Sequence, residues 1–271
     1  MTRLLGVIGD PVAHSLSPYI HNQWLRENRI DAVYAALEVK AAELAESLDS
    51  LRGHEAIGVN VTLPHKEAVL KLASSASETA RRIGAANTLI HTTEGTWHAD
   101  NTDAPGFALT LEYGDISVDG REVFLFGAGG SARAVADILS RQGARLTICN
   151  RTIARAEALA LDLAPGARIL SLEDGLKQAQ RASLIINTLS IGHAGETLAL
   201  PQSAGGIFYD ISYGKGAAAA IAEARRQGWR TLDGLGMLVA QAALSFELWF
   251  GTMPDLATAH ARARSLLEAA Q

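Results

Sequence analysis

Short apolar runs alternate with stretches of helical spacing along the first part of the chain. The runs that predict strands lie at residues 4–8, 33–39, 57–61, 88–91 and 96–99. The stretches that predict helices lie at residues 41–51, 66–72, 77–83 and 101–111. One more helix, about 12 residues long, should follow Ser17, which is a suitable N-cap before Pro18 at the first helical position. Strands that alternate with helices predict an α/β fold.

The second part of the chain is organised around residues 123–155. An apolar run at 123–126 breaks into Gly127-Ala128-Gly129-Gly130-Ser131-Ala132-Arg133, which opens a helical segment, and a second apolar run follows at 146–149. Gly127 permits the tight turn, Gly129 leaves room for a pyrophosphate to approach the backbone, and Ala132 lets the helix pack close to the strand. The free N–H groups at the helix start attract an anion. Strand, turn, helix and strand within about 30 residues are the fingerprint of a dinucleotide site.

The end of the second strand indicates which dinucleotide is bound. An NAD site usually has an Asp or Glu about 20 residues after the first glycine, which accepts a hydrogen bond from the ribose 2′-OH, whereas an NADP site has arginine near the 2′-phosphate. No acid stands at this point in the sequence, which reads Asn150, Arg151, Thr152 and, one helical turn later, Arg155. Two guanidinium groups and a hydroxyl suit a phosphate. The cofactor is therefore predicted to be NADP.

Beyond the fingerprint, apolar runs again alternate with helical stretches. The runs lie at residues 167–170, 184–187, 207–211 and 229–232. They predict a doubly wound sheet. Residues 114–120 are rich in turn formers and mark a candidate domain boundary. The last segments, 237–250 and 254–270, are predicted to be helices with no strand between them. They could close the second domain or pack on the first, and their periodicity fits both arrangements.

Composition narrows the class of protein. At 271 residues with 48% hydrophobic content, the chain can bury two cores of the usual domain size, about 100 to 150 residues each. Its net charge of −5 and its scattered basic residues argue against nucleic-acid binding. The single cysteine, Cys149, lies in an apolar run and should be a buried small hydrophobe. The sequence has no basic N-terminal segment followed by an apolar one and no apolar stretch of about 18 residues, which favours a soluble cytoplasmic protein without a membrane partner.

Polar residues concentrate in the predicted loops of the first domain. Uncharged hydrogen-bonding side chains stand there next to one lysine and one aspartate: Ser15, Ser17, Asn60, Thr62, Lys66, Asn87, Thr88, Asn101 and Asp103. Several of them follow directly on a predicted strand, at the edge where open α/β sheets bind ligands. Such a set suits a small polyhydroxylated ligand, because each hydroxyl needs hydrogen-bond donors and acceptors more than a charged partner.

Hydride transfer from an alcohol to NADP⁺ also releases a proton, so a general base must reach the hydroxyl. Histidine is the usual base, and this half of the chain contains His14, His21, His65 and His98. A lysine, with an unperturbed pKa of about 10.4, is a poor base unless its surroundings favour the neutral form. The residues alone leave three candidates open: His65, Lys66 and Asp103. The histidines form no H-x-x-x-H pair and no pair with cysteine, so no metal site is expected.

Short motifs are spread over nearly the whole sequence. They are Ala-His-Ser-Leu-Ser-Pro at 13–18, Asn-Val-Thr-Leu-Pro-His-Lys at 60–66, Gly-Ala-Ala-Asn-Thr at 84–88, Asp-Asn-Thr-Asp at 100–103, the fingerprint at 127–133, Asn-Arg-Thr at 150–152 and Asp-Gly-Leu-Gly-Met-Leu-Val-Ala-Gln at 233–241. In these motifs and in their order the chain resembles the shikimate dehydrogenase family. The resemblance implies an NADP-dependent enzyme that reduces 3-dehydroshikimate to shikimate in aromatic amino-acid biosynthesis.

The resemblance also implies a particular division of the chain into domains. An N-terminal α/β substrate domain would comprise residues 1–102 plus about 238–271, and a Rossmann-type doubly wound NADP domain would comprise residues 103–237. The C-terminal helices would then return to the substrate domain.

Each functional role that the resemblance implies falls on a matching position. Lys66 would be the proton-transfer residue, paired with Asp103, which also holds a substrate hydroxyl. Further substrate contacts are implied at Ser15 and Ser17 for the carboxylate, and for the ring at Thr62, Asn87 and Gln241, with Asn60 and Tyr213 nearby. Gln241 stands in an otherwise apolar helix, where an amide would be costly to bury without a partner. Further cofactor contacts are implied at Thr188, Ser190, Ile211, Gly234, Met237 and Glu78.

Two alternative functions use the same motifs. A paralogue that oxidises quinate or an amino-shikimate analogue would share most of them, but the two serines of the 13–18 motif and the arginines after the second strand favour shikimate and NADP. A regulatory module that binds NADPH without turnover belongs to another class, and the intact Lys66 and Asp103 argue against it. We expect a monomer or homodimer that acts on a small molecule.

Overall fold

The computed structural model describes residues 2–269, apart from the side chains of residues 193 and 194. The chain divides into two compact units. Unit 1 comprises Met1–Gly106 and Leu238–Gln271, and unit 2 comprises Phe107–Met237. Each unit contains one six-stranded sheet with helices around it, which confirms the predicted α/β class. Both boundaries fall inside helices, α5 (Asp103–Tyr113) and α10 (Leu235–Phe250), whereas the turn-rich residues 114–120 lie within unit 2.

Unit 1 has a mixed sheet in the order β2-β1-β3-β5-β6-β4. Its strands are β1 (Arg3–Gly9), β2 (Ala32–Glu38), β3 (Gly58–Val61), β4 (Ser75–Ala76), β5 (Thr88–His91) and β6 (Trp97–Asp100). β1 runs parallel to both β2 and β3, whereas β5 is antiparallel to both β3 and β6. The tight turn between β5 and β6, in which Gly95 has a φ of 72°, reverses the chain at once and makes the two strands a hairpin. The strands predicted at residues 88–91 and 96–99 are confirmed, and they pair with each other.

The helices of unit 1 follow the predicted ones with small shifts at their ends. Apart from the parts of α5 and α10 that belong to this unit, they are α1 (Ser17–Glu27), α2 (Leu44–Gly53), α3 (Lys66–Leu72), α4 (Glu78–Ile83) and α11 (Leu256–Ala269). A 3₁₀ turn, Ala41–Glu43, precedes α2 and accounts for the earlier start that the sequence predicts there.

The predicted N-cap at Ser17 is wrong by one residue. Leu16 occupies the N-cap position of α1, and Ser17 is its first helical residue. The backbone N–H of Ser17 donates to Ser15 Oγ at 3.2 Å, so the serine that serves the helix start is Ser15. Pro18 is the second helical residue and not the first, and its missing N–H leaves no bond unmade in this first turn.

Unit 2 has an all-parallel sheet in the order β12-β11-β10-β7-β8-β9. Its strands are β7 (Glu122–Phe126), β8 (Arg145–Cys149), β9 (Arg168–Leu170), β10 (Leu184–Asn187), β11 (Ile207–Asp210) and β12 (Arg230–Leu232). Its connecting helices are α6 (Gly130–Arg141), α7 (Ile153–Leu163), α8 (Leu172–Gln178) and α9 (Lys215–Arg226). This order confirms the predicted doubly wound sheet. The order in which successive strands are added to the sheet reverses between β7 and β10. Such folds bind dinucleotides at this position.

The sheet of unit 2 is buried on both faces. Along β7, Val123 and Leu125 pack into one apolar cluster, whereas Phe124 and Phe126 pack into another. Full burial of each such side chain stabilises the fold by about 1.5–3 kcal/mol. Cys149 belongs to the second cluster, and burial raises the pKa of its thiol to about 12, which confirms its prediction as a buried small hydrophobe. In the part of the chain that the structure describes, no helix is both long enough and apolar enough to cross a membrane.

A histidine lies in the aromatic core of unit 1. The ring of His21 stacks on Tyr34 with a centroid separation of 4.3 Å and meets the edge of Trp24 at 5.4 Å. Neither ring nitrogen has a hydrogen-bond partner among the described residues. Burial lowers the pKa of His21 from 6.5 to about 3, because the imidazolium would lose its hydration. The ring is therefore neutral in the folded protein at ordinary pH.

We predict that His21 makes the protein sensitive to acid. The folded state binds this proton more weakly than the unfolded chain does, so the free energy of unfolding falls as the pH drops from 6.5 towards 3. The slope from this one group reaches about 1.4 kcal/mol per pH unit. In His21→Phe that slope should be absent, which urea denaturation of the variant and the wild type at several pH values will measure.

The test compares the slopes of the free energy of unfolding against pH and not its absolute values, since a phenylalanine ring can shift that free energy equally at every pH. The same replacement at His54, whose side chain lies at the exposed end of α2, is the control. Equal pH dependence in the wild type and His21→Phe would contradict the prediction.

Candidate active site

A buried ion pair joins the starts of two helices in unit 1. Lys66 is the first residue of α3, and Asp103 is the first residue of α5. Lys66 Nζ donates to Asp103 Oδ2 at 2.6 Å, and the two side chains are 9% and 6% exposed. Charges buried to this extent are tolerated only when they are paired and hydrogen-bonded. An ammonium and a carboxylate in contact can also exchange a proton with a substrate oxygen.

The carboxylate of Asp103 is available because another residue serves the start of α5. Asn101 Oδ1 accepts a hydrogen bond from the N–H of Ala104 at 3.1 Å. This bond satisfies one of the N–H groups that a helix start leaves open. Asp103 would otherwise be a natural side chain for that task, and its oxygens would then be occupied. Its position inside the first turn instead directs them to Lys66 and to Asn87.

Asn87 connects the ion pair to α10. Its Nδ2 donates to Asp103 Oδ1 at 3.0 Å and to Gln241 Oε1 at 3.2 Å. Its Oδ1 accepts from the backbone N–H of Thr102 at 2.7 Å, which fixes the orientation of the amide. A Cβ on Gly106 would lie 2.9 Å from the backbone nitrogen of Gln241, so glycine at this position allows the close approach of α10. The structure therefore brings four of the predicted residues together through direct hydrogen bonds: Lys66, Asp103, Asn87 and Gln241.

His65 has a different task. Its Nε2 lies 2.6 Å from the carbonyl oxygen of Val39, and because a carbonyl only accepts, Nε2 carries the hydrogen and donates it. The ring is 1% exposed. Of the three candidate bases that the residues left open, His65 is thus committed to the backbone, and Lys66 and Asp103 remain.

Four other residues predicted to bind substrate also belong to unit 1. Asn60, on β3, is 4% exposed, and both ends of its amide are engaged, since Oδ1 accepts from Tyr34 Oη at 2.8 Å and Nδ2 donates to Asn87 O at 3.1 Å. Ser15 and Ser17 lie at the end of the loop between β1 and α1 and at the start of that helix, and Thr62 follows β3.

Two predicted residues belong to a different unit from the other residues predicted for the same role. Tyr213, predicted to lie near the substrate, belongs to unit 2, in the loop between β11 and α9. Glu78, predicted to contact the cofactor, belongs to unit 1 and is exposed at the start of α4.

The fingerprint of unit 2 has the geometry of a nucleotide cradle. Gly127 has a φ of 118°, and a Cβ at this position would overlap the hydroxyl of Thr188, so only glycine fits the turn. Gly129 is the N-cap of α6, and a Cβ built on it would meet no atom within 4 Å. This space and the N–H groups of the helix start suit a pyrophosphate. Ala132 packs into the core on one face of the sheet, as the fingerprint requires. Ala128, Gly130 and Ser131 complete the loop and the first turn.

The residues after β8 form an exposed basic turn. Asn150 Nδ2 donates to the carbonyl oxygen of Thr152 at 2.8 Å, which closes the turn. Arg151, Thr152 and Arg155 are exposed. Thr152 occupies the N-cap of α7, but its hydroxyl makes no cap hydrogen bond within the described residues. Two guanidinium groups and a hydroxyl fit a phosphate better than a ribose hydroxyl, which would need an acceptor.

A buried amide and carboxylate join two strand ends of unit 2. Asn187 Nδ2 donates to Asp210 Oδ2 at 2.9 Å. The free oxygens accept backbone N–H groups of the loops that follow, Asn187 Oδ1 from Leu189 at 3.1 Å and Asp210 Oδ1 from Ser212 at 2.8 Å. Burial raises the pKa of Asp210 to about 6. The pair therefore braces both loops, which contain the predicted cofactor residues Thr188, Ser190 and Ile211. We did not predict this pair from the sequence, although each member ends a buried strand of a parallel sheet.

The two remaining predicted cofactor residues lie at the start of α10. Gly234 packs directly on the backbone carbonyl of Ile211, where a Cβ would overlap, and its N–H donates to Ser212 O at 2.8 Å. Met237 is 5% exposed and packs in the core of unit 2. Gly234 thus ties this segment to the same loop that Asp210 braces.

The doubly wound unit with its nucleotide fingerprint and the buried Lys66–Asp103 pair define a nicotinamide-dependent oxidoreductase that acts on a CH–OH group. Three family models match the chain: the shikimate dehydrogenase substrate binding domain over residues 7–89, shikimate / quinate 5-dehydrogenase over residues 111–201, and the shikimate 5′-dehydrogenase C-terminal domain over residues 234–264. The chain belongs to the shikimate dehydrogenase family, as the sequence motifs indicated.

Similar proteins match the chain over almost its full length. A shikimate dehydrogenase (NADP(+)) of Hyphomonas neptunium is 67% identical over 269 residues, which cover 99% of each chain. The crystal structure of shikimate 5-dehydrogenase from Thermus thermophilus in complex with shikimate is 37% identical, with a TM-score of 0.86 over 98% of this chain and 99% of that one. The same Thermus enzyme in complex with NADP(H) and shikimate gives a TM-score of 0.84 at 36% identity, over 97% and 99% of the two chains.

Proposed function

We propose that this protein catalyses the reversible NADP-dependent reduction of 3-dehydroshikimate to shikimate, with Lys66 as the proton-transfer residue. The observation that carries the proposal is the buried Lys66–Asp103 pair, in contact with Asn87, in a chain 67% identical to an NADP-dependent shikimate dehydrogenase. When it is bound, NADPH supplies the hydride that the carbonyl carbon receives. Unit 1 is the substrate domain, and unit 2 is the NADP domain.

Lys66 moves the proton at the oxygen of the reacting carbon. In the direction of reduction, the ammonium donates a proton to this oxygen as the carbonyl becomes a hydroxyl. In the direction of oxidation, the neutral amine takes that proton back. Asp103 accepts a hydrogen bond from Nζ at 2.6 Å, which holds the amine in place. Asn87 donates to the other oxygen of Asp103, and this bond keeps the carboxylate from rotating away from Lys66.

The substrate is held mainly by uncharged groups. Asn87, Gln241, Thr62 and the carboxylate of Asp103 hold the ring hydroxyls, and Ser15 and Ser17 hold the substrate carboxylate. Asn60 and Tyr213 complete the substrate set. Amides and hydroxyls offer both donors and acceptors, so they discriminate strongly against a ring that lacks a hydroxyl at the expected place.

The cofactor residues all lie in unit 2 apart from Glu78. The loop from Gly127 to Ala132 takes the pyrophosphate, the turn of Asn150, Arg151, Thr152 and Arg155 takes the 2′-phosphate, and Thr188, Ser190, Ile211, Gly234 and Met237 surround the nicotinamide. The absence of an acid in the turn after β8 favours NADP over NAD, because a carboxylate there would repel the 2′-phosphate.

An absorbance assay at about 340 nm, where reduced nicotinamide absorbs, tests the function directly. Shikimate and quinate are each offered with NADP⁺ and with NAD⁺. We expect the highest kcat/KM for shikimate with NADP⁺. A higher kcat/KM for quinate would identify a quinate-oxidising paralogue, and NADPH binding without any shikimate-dependent change would identify a sensor; either result would overturn the proposal.

Replacement of the proton-transfer residue tests the mechanism. In Lys66→Ala, kcat should fall by roughly 10²- to 10⁴-fold, the usual loss when a general acid–base group is removed. Lys71→Ala is the matched control, since Lys71 is an exposed lysine in the last turn of the same helix, and its kcat should stay near the wild-type value. Near-normal turnover of Lys66→Ala between about pH 7 and 9 would show that another group moves the proton.

Replacement of an arginine after β8 tests the 2′-phosphate site. Arg151→Ala should weaken NADPH binding by roughly 1.5 to 3 kcal/mol, the loss of a charge-assisted contact to phosphate, and leave NADH binding nearly unchanged. Fluorescence titration of both dinucleotides measures the two Kd values. Arg141→Ala, at the exposed end of α6, controls for the change in net charge. An equal effect of Arg151→Ala on both dinucleotides would place the contact elsewhere on the cofactor.

A further inference from the structure

Three buried hydroxyl groups lie within hydrogen-bond distance of one another in unit 1, and one of them belongs to the residue that precedes Asp103 in the sequence. They belong to Thr88 on β5, Thr102 before α5 and Ser245 on α10, and their side chains are 0%, 3% and 0% exposed. Ser245 Oγ lies 2.8 Å from Thr88 Oγ1 and 3.0 Å from Thr102 Oγ1, and the two threonine oxygens are 3.2 Å apart. We call these three residues the hydroxyl cluster.

Ser245 connects the hydroxyl cluster to α10. Its hydroxyl donates to the carbonyl oxygen of Gln241, one turn earlier, at 2.9 Å, and it accepts from Asn60 Nδ2 at 2.9 Å. A hydroxyl has one hydrogen and two lone pairs. Ser245 therefore donates to Gln241 O and accepts from Asn60 and from one threonine hydroxyl at a time.

The hydroxyl cluster in turn holds Asn87 on several sides. Thr102 Oγ1 accepts from Asn87 Nδ2 at 2.9 Å. Asn60, which Ser245 binds, donates to the backbone carbonyl of Asn87 at 3.1 Å. The same Nδ2 group also lies 3.0 Å from Asp103 Oδ1 and 3.2 Å from Gln241 Oε1, so the three acceptors share its two hydrogens. A change at Ser245 thus reaches the candidate substrate residues through Thr102 and Asn60, and through the turn of α10 that contains Gln241.

We propose that Ser245 is a positioning residue for substrate binding. Its hydroxyl anchors α10 to β3, β5 and the start of α5, and this anchor sets the orientation of the amides of Asn87 and Gln241 towards the substrate. The inference rests on the proposed function for the identity of the substrate. A purely structural hydroxyl would stabilise unit 1 without affecting the affinity for shikimate, and this difference makes the proposal testable.

Ser245→Ala tests the proposal by steady-state kinetics and by calorimetric titration with shikimate. We expect the KM and Kd for shikimate to rise by about three- to tenfold, the scale of one buried hydrogen bond, with the KM for NADP⁺ unchanged. Ser265→Ala is the matched control, because Ser265 makes the same bond to the carbonyl four residues earlier, Ala261 O at 3.1 Å, on the exposed face of α11. Ser265→Ala should leave both shikimate constants at their wild-type values.

A second variant tests whether the effect of Ser245 reaches Asn87 through Thr102. Thr102→Val removes the hydroxyl that joins Ser245 to Asn87 while keeping the shape of the side chain, so it should raise the KM for shikimate on its own. In the double variant the two effects should be less than additive, since both remove the same connection. If Ser245→Ala does not fold, the effect of Thr102→Val on shikimate affinity tests the positioning role by itself.

The outcomes separate this proposal from the proposed function. An active wild type whose shikimate constants stay unchanged in Ser245→Ala, with only a lower melting temperature, would overturn the positioning role and leave the function intact. Unchanged shikimate constants in a folded Thr102→Val would overturn it equally. A wild type that neither binds nor oxidises shikimate would overturn both.

Discussion

The burial of two opposite charges is the constraint on which the rest of unit 1 depends. Lys66 and Asp103 have left water almost completely, and their attraction offsets the lost hydration only if the remaining oxygen of the carboxylate is also satisfied. Asn87 supplies that hydrogen bond and is itself oriented by the backbone of Thr102. Gln241 then occupies the next acceptor position around the same amide. The two residues suited to proton transfer are thus also the two whose buried polar groups the fold must supply with hydrogen bonds.

Local physical requirements explain what could be predicted from the sequence. The strands Thr88–His91 and Leu184–Asn187 match their apolar runs residue for residue, because a buried strand needs an uninterrupted apolar segment. Gly127 could be assigned to a tight turn because only glycine adopts such a conformation readily, and its φ is 118°. The NADP preference could be predicted because the residues from which we inferred it lie close together in the sequence, at positions 150–155. In each case the cause lies within a few residues.

What could not be predicted depends on distant parts of the chain. β4 has only two residues and exists because they pair with β6. His65 looked as suitable a base as Lys66 until the fold placed its ring against the Val39 carbonyl. Ser245 lies in an apolar helix, and its partner Asn60 is 185 positions away. Spacing within a helix gave no sign of this contact. The resemblance to a family assigned Lys66 a role and Asp103 as its partner, but it did not indicate that Asn87 orients the carboxylate of Asp103.

Unit 1 is assembled from both ends of the chain, which has a consequence for its synthesis. Residues 1–106 leave the ribosome before unit 2, which follows as one continuous segment, and most of α10 and all of α11 come after it. Asn60 and Thr88 reach their partner Ser245 across 185 and 157 positions, so these two hydrogen bonds cannot form until α10 has been synthesised. Unit 2 contains its whole sheet and can fold earlier. The nucleotide cradle can therefore form before unit 1 is complete, and the Lys66–Asp103 pair gains its connection through Asn87 to Gln241 only after α10 has been synthesised.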